Sequence, residues 1–93
     1  MDANVKVNEQ ISEEAKSIVL HSSFSFEDAS SSLERSLRYF MDCGDQEPEA
    51  WDKARELVAM AALAAQTSGF SLRGMVDYIL FSYHHRVKSW CGF

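Results

Sequence analysis

Residues 70–90 read FSLRGMVDYILFSYHHRVKSW, and this segment decides how the fold is interpreted. Phe70 and Ser71 are typical of a helix start, with Phe70 as a hydrophobic staple, Ser71 as the N-cap and Met75 as the staple's partner. At about 100° per residue the following apolar side chains share one broad face. The predicted core residues on that face are Leu72, Met75, Val76, Ile79, Tyr83, Val87 and Trp90. A long amphipathic helix is therefore predicted over 72–90.

The same segment carries a second set of residues on the side of the helix that should face water. This set, the aromatic stripe, consists of Gly74, Tyr78, Phe81 and His85, spaced by four, three and four residues. Glycine weakens a helix by about 1 kcal/mol relative to alanine, which is easier to understand if another backbone approaches there. Three interpretations remain open. In the first, helix one covers the stripe. In the second, a partner protein or a second copy of the chain binds it, and in the third its residues are scattered surface positions.

A first helix is predicted over residues 8–21, behind a flexible tail of residues 1–7. Asn8 is a suitable N-cap, and acidic residues follow in the first turns, where they complement the helix dipole. The apolar residues at helical spacing are Ile11, Ala15, Ile18 and Val19. Their stripe is narrow, so this helix is expected to add to a unit formed by the others.

The second helix, predicted over 26–43, has a clearer start. Ser25 is its N-cap, Asp28 lies where a capping box places its acid, and Phe24 can contact Ala29 as a staple. Gly44 is expected to end the helix. The predicted core face consists of Phe26, Ala29, Leu33, Leu37 and Phe40.

The third helix is predicted over 48–68, between Pro48 at its first position and Gly69 at its end. From Leu57 onward it is apolar almost all round, so this half is expected to be central. Loops of a few residues make antiparallel neighbours the default. The chain is thus predicted to be all-α, a compact bundle of four helices forming one domain over residues 1–93.

Length and composition agree with a small packed protein. The 93 residues are 46% hydrophobic, with one proline and four glycines, which is typical of a globular chain with one core. The longest apolar run, from Leu57 to Ala65, is too short to cross a bilayer, and no secretory signal is evident at the N-terminus. Two distant cysteines, Cys43 and Cys91, fit a reducing cytoplasm, although a single bridge between them stays open.

Charge is distributed unevenly along the chain. The net charge is −5, which disfavours direct nucleic-acid binding. Residues 1–57 hold thirteen acids and six bases, a net charge of −7, whereas residues 58–93 hold one acid and three bases, a net charge of +2. An acidic patch is predicted around one loop and helix start, at Asp42, Asp45, Glu47, Glu49 and Asp52. It is either a solvated loop that complements the helix dipole or a partner-facing surface that imitates phosphates.

No motif indicates a reaction or a bound cofactor. His84 and His85 are adjacent on a helix, and with His21 and the cysteines they lack zinc-ligand spacing, so no metal site is predicted. No nucleophile, carboxylate pair or glycine-rich phosphate loop is evident. We therefore expect a non-enzymatic protein without cofactors.

The sequence favours a protein-interaction module, an acidic helical inhibitor or adaptor that binds and blocks a larger protein or complex. Its partner would contact the aromatic stripe, and a homodimer is a further option. One alternative is an acidic mimic that occupies a basic nucleic-acid-binding site. Another is a helical DNA-binding regulator that uses Arg73, Arg86 and Lys88, although the first turn of its reading helix offers poor base-reading chemistry.

Overall fold

A computed structural model describes the backbone of residues 3–90 and the side chains of residues 7–82. Over this range the chain forms four α-helices and no β-strand. The helices are α1 (Ala3–Leu20), α2 (Phe26–Asp42), α3 (Glu47–Ser68) and α4 (Leu72–Trp90). The predicted all-α bundle of four helices is confirmed.

Helix α1 begins at Ala3, five residues before the predicted cap, and it includes residues assigned above to a flexible tail. Asn8 is an exposed residue inside the helix. The reason is that Val7 packs against the core, one turn before Ile11, and so extends the apolar stripe toward the N-terminus.

The boundaries of the other helices follow their local signals. Ser25 caps α2, because its Oγ accepts a hydrogen bond of 3.1 Å from the backbone N–H of Asp28. Gly44 and Gly69 follow α2 and α3 with φ angles of 106° and 79°, a backbone conformation that glycine adopts without steric penalty. These three predictions are confirmed.

Helix α2 is the central element of the bundle. Its backbone approaches those of α1, α3 and α4, whereas within the described backbone α1 approaches α2 alone. The expectation that the second half of α3 is central was wrong, because Met60 and Leu63 are 55% and 71% exposed. Helix α1 therefore adds to a three-helix unit, as its narrow stripe indicated.

Two buried serines help to explain why α2 takes the central place. Ser32 and Ser36 have no exposed surface, and their hydroxyls donate to backbone carbonyl oxygens one turn earlier, at 2.7 and 2.9 Å. Small, internally satisfied side chains allow neighbouring helices to pack closely without leaving an unpaired polar group. The core face of α2 is consequently wider than its apolar pattern suggested.

The predicted core of α2 is confirmed except at one position. Ala29, Leu33, Leu37 and Phe40 are buried, but Phe26 is 45% exposed. Phe24, just before the start of the helix, packs against the core.

Helices α2 and α4 run parallel to each other. Asp28 contacts Arg73 near the start of both helices, and Arg35 contacts Asp77 one to two turns later, so residue numbers rise in the same direction. Short loops connect α3 to both, and α3 therefore runs the opposite way.

Helix α4 buries the N-terminal part of its predicted core face. Leu72, Met75 and Val76 are buried, and Ile79 packs partly buried against the core. Leu80, which was not on the predicted face, is also buried. The predicted core side chains Tyr83, Val87 and Trp90 lie outside the described ones.

Candidate protein-binding surface

The aromatic stripe is on the solvent side of α4. Tyr78 and Phe81 are 67% and 74% exposed, and Gly74 is also exposed. Because the backbone of α1 approaches α2 and not α4 in the described range, helix one does not cover these residues. The side chain of His85 lies outside the described ones. The interpretation in which the stripe is buried within one chain is thereby removed for Tyr78 and Phe81.

Beside the stripe, α2 and α4 enclose an open groove of about 610 Å³. This volume is in the range of small-molecule sites. Tyr39 and Leu80 are buried at 8% and 2% exposure, while the exposed Phe81 belongs to both the groove and the stripe. The lining residues are Arg35, Tyr39, Asp42, Cys43, Arg73, Asp77, Leu80 and Phe81.

The start of α4 is fixed by a carboxylate from α2. The Oδ2 atom of Asp28 accepts a hydrogen bond of 2.9 Å from the backbone N–H of Leu72, and Oδ1 accepts one of 2.8 Å from that of Arg73. Ser71 Oγ accepts a third, of 3.0 Å, from the N–H of Gly74. These three N–H groups have no partner within the helix, so Asp28 and Ser71 together complete the cap.

The geometry revises part of the capping-box prediction. Asp28 donates its N–H to Ser25 Oγ as expected, but its carboxylate is turned toward α4. A residue predicted to act locally thus connects two helices.

The two arginines of the groove share one acidic partner. Arg73 Nε lies 3.3 Å from both carboxylate oxygens of Asp77, and Arg35 Nε lies 3.5 Å from one of them. The guanidinium group of Arg73 also donates to the hydroxyl of Ser31. Exposed ion pairs contribute about 0–1 kcal/mol, so this cluster orients the side chains more than it stabilises the fold.

The structure gives Gly74 a local explanation. A Cβ atom at this position would lie 2.9 Å from Ser71 Oγ, and apart from its own helix backbone and chain neighbours no other group among the described residues comes within 4 Å of it. The glycine therefore leaves room for the hydroxyl that caps its own helix. Its presence does not require a second backbone.

The acidic patch is partly neutralised within the chain. Asp45 pairs with Lys53 at 2.8 Å, and Asp52 pairs with Arg55. Glu47 and Glu49 occupy the first turn of α3, where they complement the helix dipole. Asp42 is exposed at the end of α2 and also lines the groove.

Sequence reasoning missed most of the groove and its support. Asp28 and Leu72 are 44 residues apart, and no local pattern connects them. Arg35 and Asp77 each look like ordinary solvated positions of an amphipathic helix. A parallel arrangement of α2 and α4 would have brought them together, but the sequence contains no signal for it.

The described part of the chain shows no cluster of three metal-ligating side chains, and none of its helices is long and apolar enough to span a membrane. Cys43 has a free, exposed thiol, while Cys91 lies outside the described residues.

Comparison of the chain with protein-family models, curated proteins and solved structures found no match.

Proposed function

We propose that the chain is a non-enzymatic protein-interaction module, an acidic helical inhibitor or adaptor that binds a larger protein or complex. The observation that carries this proposal is the exposure of Tyr78 and Phe81, at 67% and 74%, on a helix whose opposite face is buried. Aromatic residues are enriched in the centres of protein interfaces because they bury much area and have few rotatable bonds.

The support beneath the stripe suits a binding surface. Leu72 and Val76 are fully buried, and Asp28 holds the first turn of α4 through two backbone hydrogen bonds. A surface on a rigid element loses little conformational entropy when a partner binds. The fold would therefore hold α4, and with it the aromatic side chains, in place before a partner binds.

The acidic-mimic alternative has weaker support. A mimic of nucleic-acid phosphates needs several uncompensated carboxylates, whereas Asp45 and Asp52 have cationic partners within the chain. Glu47, Glu49 and Asp42 remain available for such a role.

The DNA-binding alternative also loses support. Leu72 and Met75, in the first turn of the supposed reading helix, are buried. Arg73 contacts Asp77 and Ser31, and the carboxylate of Asp28 occupies the helix start, where a DNA phosphate would otherwise bind.

We propose a cytoplasmic location on the basis of cysteine usage alone.

The test is a capture experiment with the purified chain immobilised as bait in a lysate of the source cell. We expect a stoichiometric partner that is retained by the wild type and lost with Tyr78→Ala combined with Phe81→Ala. Leu63→Ala is the matched control, because Leu63 on α3 is 71% exposed and lies outside the groove. Its capture should equal that of the wild type.

A second bait separates the alternatives. Neutralising Asp45, Glu47 and Glu49 to their amides should leave capture intact if the aromatic stripe is the contact. Loss of capture in this variant, together with steep weakening by salt, would replace the proposal with phosphate mimicry.

A further inference from the structure

We propose that Phe81, Tyr78 and the groove between α2 and α4 form a self-complementary surface through which two copies of the chain pair about a two-fold axis. This inference goes beyond the proposed function, because it concerns the association of the chain with itself.

Phe81 gives the surface its two complementary parts. It is 74% exposed on α4, and it also borders a groove that contains the buried residues Tyr39 and Leu80. A two-fold interface uses the same patch on both copies, so each copy must supply both the protruding group and the depression that receives it. Tyr78 lies about 60° around the helix from Phe81, within the zone that a crossing helix would cover.

The directions of the helices suit such a pair. Helices α2 and α4 are parallel to each other. A two-fold axis that lies in the interface, at right angles to the long axis of the groove, therefore places α4 of the second copy antiparallel to both. Helix α3 already has this relation to them within one chain. The partial charges at neighbouring helix ends then alternate, which is the favourable arrangement.

Charge complementarity identifies a second copy as the occupant. Arg35 and Arg73 lie toward one end of the groove with Asp77 between them, so the lining residues at that end carry one net positive charge. The exposed Asp42 lies toward the other end, seven residues and therefore about 10 Å along α2 from Arg35. The two-fold operation exchanges the two ends. Asp42 of each copy then faces Arg35 and Arg73 of the other, and the contact occurs twice.

Pairing uses the residues that the proposed function assigns to the larger partner. The two interactions would therefore exclude each other, and a chain bound to its partner would be monomeric.

Sedimentation equilibrium of the purified full chain, under reducing conditions and over a wide concentration range, tests the inference. The apparent mass should rise from 10.5 kDa toward twice that value. Arg35→Glu and Asp42→Arg should each raise the dimer Kd by about tenfold or more, because each places like charges opposite one another. The double variant Arg35→Glu with Asp42→Arg should restore pairing, because both charges are exchanged.

Matched variants separate this contact from a general effect of charge. Lys16→Glu and Glu56→Arg change the net charge by the same amounts at exposed positions outside the groove, and both should leave the Kd unchanged. Asp42→Arg moves the net charge from −5 to −3, so general repulsion predicts tighter pairing, whereas the proposed contact predicts weaker pairing. Circular dichroism checks folding, and Asp42→Asn provides a milder variant with the same expected direction.

A wild-type chain that stays at 10.5 kDa would overturn the inference. So would a dimer that survives Phe81→Ala, or a double charge variant that fails to restore pairing. A chain that is monomeric alone and binds another protein through Phe81 overturns only this inference and leaves the proposed function standing. Failure of the capture experiment, by contrast, leaves sedimentation unaffected.

Discussion

The carboxylate of Asp28 on α2 accepts a hydrogen bond of 2.9 Å from the backbone N–H of Leu72, the first residue of α4. This contact joins residues 44 positions apart and fixes the start of the helix that presents the aromatic stripe. Leu72 itself is fully buried, so the same residue anchors α4 by its backbone and by its side chain. The exposed surface of α4 depends on this buried end.

Asp28→Ala should lower the free energy of unfolding by about 1–2 kcal/mol, because it leaves two N–H groups of α4 without their acceptor. Asp28→Asn should lower it less, since one amide oxygen still accepts. Urea denaturation followed by circular dichroism measures both changes. Asp42→Ala, at an exposed carboxylate on the same helix, is the control and should be near neutral. Unchanged stability of Asp28→Ala would show that the cap contributes nothing.

Leu33→Ala should lower the free energy of unfolding by about 2–5 kcal/mol, because Leu33 is fully buried and its truncation leaves a cavity. Leu63→Ala, at a leucine that is 71% exposed, should change stability by no more than about 0.5 kcal/mol. The same denaturation experiment compares the two. Equal effects would mean that the core is not centred on α2.

We predict that Ser36 on α2 contributes to packing through its small size and not through its hydroxyl. Ser36→Ala should be neutral or slightly stabilising, because among the described residues the hydroxyl bonds to a carbonyl of its own helix and alanine favours helix more than serine. Ser36→Leu should cost about 1–3 kcal/mol through overpacking. Thermal unfolding of the two variants decides the matter, and a strongly destabilised Ser36→Ala would contradict the packing argument.

Tyr78→Ala and Phe81→Ala should each leave stability within about 0.5 kcal/mol of the wild type, because the two side chains are 67% and 74% exposed. The measurement is urea denaturation at a concentration low enough to keep the chain monomeric. A loss of several kcal/mol would mean that these side chains are buried in the folded monomer.

The sequence was informative where structure depends on neighbouring residues. Ser25, Pro48 and Gly69 determine helix ends through contacts within one turn, and the predicted bounds of α2, α3 and α4 agree with the structure to within one residue. The start of α1 was missed because the packing of Val7 against the core depends on a neighbouring helix, which no local pattern shows.

The relations between helices could not be predicted in the same way. Ser32 and Ser36 look like solvent-facing residues until the helices that cover them are known, so the central place of α2 was hidden. The sequence placed Tyr78 and Phe81 opposite a clear core face, but it left open whether helix one covers them. The groove beside them was not predicted, because it requires α2 and α4 to be parallel neighbours.

The central claim is that Tyr78 and Phe81 bind another protein, and the affinity of the captured partner for purified variants tests it most directly. If these residues are interface hot spots, each truncation should weaken binding by about 2 kcal/mol, or about thirtyfold, while Leu63→Ala leaves the Kd unchanged. A partner that binds the wild type and both aromatic variants with equal affinity would contradict the account.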